Sequence, residues 1–135
     1  MTSKFTLDVF FTGDDLDKTI EKGAVEYDSF VEEFTSFPWH EQCDLSYKNL
    51  TLPPTITVRN NSENCMLWTS IEGEGNEYTY NMGYRYTKTS KGIFSGKEFT
   101  NEEENNTSTN QVKRVLELYM LFFQGDKDGL IAELE

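Results

Sequence analysis

Residues 4–11 alternate between apolar and polar side chains. Phe5, Leu7, Val9 and Phe11 fall on one side and Thr6 and Asp8 on the other, the period of a half-buried strand. Phe10 breaks the polar side. Thr12, Gly13, Asp14 and Asp15 then supply short oxygen side chains that accept hydrogen bonds from free amide groups, and acids that suit the positive end of a helix. A helix is therefore expected to start there, with Leu16 and Ile20 as its apolar edge and Gly23 as an interruption. Tyr27, Phe30, Val31 and Phe34 repeat at i, i+3, i+4 and i+7, which predicts a second helical stretch that Pro38 ends. Residues 39–54 show no period, and Pro53 with Pro54 marks a turn or an extended entry into the next strand.

From Thr55 onward the pattern is that of an antiparallel meander, with strands over 55–59, 65–72, 77–88 and 93–99. The segments 60–63, 73–76 and 90–92 separate them and are rich in Asn, Ser and Gly, which form turns because they tolerate positive φ. Residues 101–110, NEEENNTSTN, read as a polar loop. Ser108 and Gln111 then stand at capping-box spacing. Val112, Val115, Leu116, Tyr119, Phe122 and Phe123 make one helical stripe, Gly125 is placed to end it, and Leu130–Leu134 adds a final turn. Hairpin-linked strands grouped in a β-α-α-β-β-β-β-α order predict an α+β fold: an antiparallel sheet of about 4-5 strands with the helices packed on one face. A single domain is expected over 1–133, with Leu134 and Glu135 matching what a C-terminal tag junction leaves behind.

Length and composition support one packed domain. The chain has 135 residues, and its ten Phe, seven Tyr and two Trp supply the apolar area that lets a core compete with chain entropy. Charge changes the picture more: 24 acids against 12 Lys and Arg give a net −12. Such a chain is repelled by phosphate backbones, which excludes nonspecific nucleic-acid binding. Residues 1–45 hold 11 acids and 3 bases, among them Asp14, Asp15, Asp17, Glu32 and Glu33, whereas Arg85, Lys88, Lys91 and Lys97 gather on one expected hairpin. A field of this sign speeds encounter with a basic partner, so those five acids are candidate partner-binding residues. No apolar run is long enough to cross a bilayer and the N-terminus lacks a signal-peptide pattern, so the expectation is a cytoplasmic protein with no membrane partner. Cys43 and Cys65 are then free thiols.

Candidate chemistry is sparse. His40, the sole histidine, stands near Glu41 and Cys43, but one His and two Cys fall short of the usual structural zinc sets. Residues 124–135 can be laid on a calcium loop through Asp126, Asp128, Gly129 and Glu135, yet Gln124 occupies the first ligand position. Residues 92–97 have only three residues between their glycines and Glu98 in place of a hydroxyl, so they are not a phosphate loop. No catalytic residue, metal site or cofactor is assigned. Tyr78, Tyr80, Met82, Tyr84 and Tyr86 share one strand face, which either packs under helices or meets a partner; the outermost, Tyr84 and Tyr86, are the partner-binding candidates.

The composition and size resemble those of many bacterial immunity proteins that neutralise polymorphic toxins. No family motif can be matched residue by residue, so the resemblance carries over no functional residues. It implies a non-catalytic acidic domain, monomer or homodimer, that occludes a basic protein. The alternative is a small-ligand or enzymatic pocket between helices and sheet, lined by Trp39, Trp68 and Tyr80.

Overall fold

A computed structural model describes residues 4–12, 19–74, 77–91, 96 and 98–134. The elements run β1 (Phe5–Phe10), β2 (Ile20–Ala24), α1 (Tyr27–Ser36), α2 (Trp39–Asn49), β3 (Thr55–Asn60), β4 (Cys65–Glu74), β5 (Glu77–Lys91), β6 (Glu98–Thr109), α3 (Val112–Gln124) and α4 (Lys127–Leu134). The strands form one sheet in the order β2-β1-β3-β4-β5-β6, every neighbouring pair antiparallel, and the four helices lie on one side of it. The α+β class is as the pattern predicts, with six strands rather than four or five.

Alternation decides which side chains meet the helices. Leu7 and Val9 of β1, Ile56 and Val58 of β3, Leu67, Thr69 and Ile71 of β4, and Tyr80, Met82, Tyr84 and Tyr86 of β5 are all buried. Against them α1 places Phe30 and Phe34, and α3 places Val115, Leu118, Tyr119 and Phe122. The contact is largely aromatic: Phe30 lies 4.1 Å from the Tyr119 ring, and Phe5 packs on both Phe122 and Phe123. The Tyr119 hydroxyl is paired with Thr69 Oγ1 at 2.7 Å, so the core carries its polar atoms without stranding them.

Five expectations are corrected. Ile20 belongs to strand β2 and not to a helix; Asp14 and Leu16 lie outside the described residues. Gly23, at φ 84°, faces the register shift in β1 between Leu7 and Asp8, so it marks a bulge. The aperiodic stretch after Pro38 contains α2, whose buried residues Trp39, Cys43 and Ser46 follow helical spacing with too few apolar side chains to register as a stripe. The polar run at 101–110 is almost wholly strand β6, paired along its length with β5. It is hydrophilic because it is an edge, where charge blunts further pairing. The capping box is absent: Ser108 donates to Asn81, and the Gln111 N–H is accepted by Thr109 Oγ1. Gly125 ends α3 in the left-handed region, at φ 75°.

Candidate partner-binding surface

The outward faces of α1 and α2 follow from what each helix buries. With Phe30 and Phe34 turned inward, Asp28, Glu32 and Glu33 are exposed on α1, and Glu41 and Asp44 are exposed on α2. Of the candidate acids, Glu32 and Glu33 are thus exposed on α1, and none of these five acids takes part in an ion pair among the described residues. Asp14, Asp15 and Asp17 lie outside the described residues.

The aromatic candidates separate. Tyr84 and Tyr86 stack on each other, and Tyr84 meets Phe122 edge-on, so both rings are core rather than contact surface. Trp39 and Tyr80 also meet in the core, with ring centroids 5.6 Å apart, and the Trp39 indole donates to the Phe34 carbonyl at 3.0 Å. Trp68 is on the opposite face of the sheet. Its neighbours in β4, Leu67 and Thr69, point toward the helices, so strand alternation sends Trp68 the other way. No single pocket can therefore be lined by Trp39, Trp68 and Tyr80. Trp68 instead lies flat: its cross-strand partner is Gly83, a Cβ added there would stand 2.3 Å from the indole, and its Nε1 donates to Glu104 of β6 at 2.8 Å.

What the periodicity did not reveal is the segment after α2. The helix ends at Leu50, which takes a left-handed conformation (φ 51°, ψ 44°) while its N–H reaches the Ser46 and Tyr47 carbonyls. Leu lacks the freedom of Gly in that region, and here its side chain is 93% exposed. Leu52 is 53% exposed, Tyr47 43% and Leu45 37%, a run of apolar side chains offered to solvent within eight residues. Two concavities flank it. One, of about 390 Å³, holds Tyr47, Leu50, Pro53, Ser70 and Glu72. The other, of about 420 Å³, holds Phe10, Leu52, Pro53, Trp68 and Ser70. They share Pro53 and Ser70, so the apolar ridge runs from the end of α2 round onto the open face of the sheet as far as Trp68. The sequence signal was available: Leu45, Leu50 and Leu52 do not share the buried Trp39/Cys43/Ser46 face.

Carboxylates border this ridge on both sides. Glu72 lines one concavity, and Asp8 lines the other together with Arg59, with which it is paired at 2.8 Å. On α2, Asp44 accepts the Tyr78 hydroxyl at 2.8 Å, and that hydrogen bond, with a smaller contribution from desolvation, pushes the phenol up to about 12. The His40 imidazole stacks on the Tyr78 ring at 4.0 Å. Among the described residues no group of three or more His, Cys, Asp or Glu side chains converges in a way that could hold a metal ion. Asp126 of the calcium-like segment instead accepts the Gly129 N–H.

Comparison with known proteins returns no match: no family model fits the chain, and no curated protein or solved structure is significantly similar to it. No helix among the described residues is long and apolar enough to cross a membrane.

Proposed function

We propose that the chain is a non-catalytic protein-binding domain of the acidic inhibitor type, the class to which immunity proteins belong, and that it occludes a basic partner. The observation that carries this reading is the exposed ridge Tyr47, Leu50 and Leu52 set among carboxylates. A soluble domain gains nothing from holding a leucine fully in water in a conformation that disfavours it, whereas a binding surface gains an anchor. The division of labour follows from physics. A net charge of −12, with Glu32 and Glu33 outward on α1, raises the rate of encounter with a positive surface, and burial of the ridge slows dissociation. Two free cysteines fit action in the reducing cytoplasm.

The test is affinity capture from the native cell extract at low and high salt, with three baits: the unmodified chain, Leu50→Asp, and Glu32→Lys combined with Glu33→Lys. A partner lost to Leu50→Asp at every salt concentration, and captured more slowly by the double charge reversal at low salt only, supports the reading. A partner that is acidic, or whose capture responds neither to salt nor to Leu50→Asp, overturns it.

A further inference from the structure

Asp8 of β1, Thr57 of β3, Trp68 of β4 and Gly83 of β5 stand in one row across the sheet. Their buried neighbours along each strand point toward the helices, so the row lies on the open face. Trp68 is held there as a platform. The missing side chain at Gly83 lets the indole lie against the sheet, and Glu104 accepts its Nε1 proton at 2.8 Å. The inner face of the half-buried ring is thereby covered, and the outer face is turned to solvent.

The concavity of about 420 Å³ beside this ring has apolar walls, Phe10, Leu52, Pro53 and Trp68, with the hydroxyls of Thr57 and Ser70 between them. Asp8 and Arg59 close its far end. Neighbouring strands lie about 4.8 Å apart, so Asp8 is two strands, roughly 10 Å, from Trp68, with only the small Thr57 side chain in the row between them. The bond of the pair runs from Arg59 Nε to Asp8 Oδ2. The second carboxylate oxygen and the terminal guanidinium nitrogens have no other partner among the described residues, and remain available to accept and to donate. The two charges of the lining cancel, so it favours neither an anion nor a cation. A hydrocarbon would leave the ion pair and the hydroxyls without water or a replacement for it. A neutral ring with one C–H face and a rim of hydroxyls satisfies both halves of the lining.

We propose that this concavity binds a neutral pyranose sugar, its C–H face laid on the outer face of Trp68 and its hydroxyl rim bonded to Asp8 and Arg59. Gly83 and Glu104 hold the indole in place before the sugar arrives, so stacking costs little side-chain freedom. The carboxylate and guanidinium, one accepting and the other donating, supply charge-assisted hydrogen bonds to adjacent hydroxyls. The site does not rest on the protein-binding reading. Leu50, whose replacement tests that reading, lies outside its lining, and failure of either leaves the other standing.

The experiment is a titration of the full chain with the methyl glycosides of glucose, galactose and mannose, with maltose and cellobiose, and separately with adenosine. Tryptophan emission is one readout: Trp39 is buried in the core, so a saturable change reports Trp68. Saturation-transfer NMR on the sugar protons is the other, and it serves the variants Trp68→Ala and Asp8→Ala, whose folding is checked by resonance dispersion. Expected are saturation by at least one sugar at millimolar concentration, strongest transfer to the protons of one ring face, loss of binding in Trp68→Ala, and affinity weakened about tenfold or more in Asp8→Ala. Equal affinity for a glycoside and its disaccharide supports a free sugar as the ligand, and tighter binding of the disaccharide supports a sugar within a chain. No saturation by any sugar, or binding unchanged in folded Trp68→Ala or in Asp8→Ala, overturns the site. Adenosine binding more tightly than every sugar overturns the ligand class.

Discussion

Replacing Leu50 with glycine should make the protein more stable while weakening its proposed function. At φ 51° and ψ 44° the backbone is left-handed, where a side chain costs about 1–2 kcal/mol through the approach of Cβ to the carbonyl oxygen. Because the side chain is 93% exposed, its removal forfeits almost no burial. Glycine gives back about 0.5–1 kcal/mol through the greater freedom of its unfolded chain. The net gain is therefore about 0–1.5 kcal/mol, which for a chain of this length raises Tm by up to roughly 5 °C. Leu50→Ala is the control, since it keeps Cβ and with it the strain. Urea unfolding followed by tryptophan fluorescence, with thermal unfolding in parallel, should place Gly above both Leu and Ala. A glycine variant no more stable than the alanine variant would refute the claim that strain is stored at this residue, and with it the argument that only binding explains a leucine there.

Other consequences can be read from the same geometry. Gly83→Ala drives a methyl into the Trp68 indole, so it should cost about 1–3 kcal/mol and alter tryptophan emission as the ring leaves Glu104; unchanged emission would show that Trp68 does not lie across β5. Tyr119→Phe removes the partner of the buried Thr69 hydroxyl and should lower stability by about 1–3 kcal/mol in urea unfolding. For Tyr78 the folded pKa is raised to about 12, so the stability contributed by its bond to Asp44 is complete below the ordinary value near 10 and is lost as pH rises through 12. Burial also raises Tyr80, Tyr84 and Tyr119, so ultraviolet titration should find several tyrosines ionising late, and Asp44→Asn should move one of those steps, that of Tyr78, to lower pH.

Much of the fold was legible because burial and periodicity coincide wherever an element has one apolar face. The stripes at Tyr27–Phe34 and Val112–Phe123 and the alternation at Tyr78–Tyr86 are of this kind, and all three end in the core. Legibility failed where an element buries little. α2 turns inward only Trp39, Cys43 and Ser46, β6 is an edge strand with polar residues from Thr100 to Thr109, and β2 is short and almost fully exposed. In such elements the backbone is held by pairing to a neighbour or by a few anchors, and hydrophobic spacing carries little of that information.

The division for the surface is similar. Composition by itself determined the sign of the field, the aromatic character of the core and the lack of an ordinary zinc ligand set, since these are sums over residues and do not depend on where the chain goes. Only the tertiary structure decided which aromatics are available. Tyr84, Tyr86, Trp39 and Tyr80 face the helices and are spent on packing, while Trp68 crosses to the open face because one residue along a strand reverses direction. It also decided that Leu50 and Leu52 stand in water and that Asp8, Arg59 and Trp68, apart in sequence, line one concavity. Positions separated by long stretches of chain are brought together by sheet register and helix docking, which local pattern cannot encode.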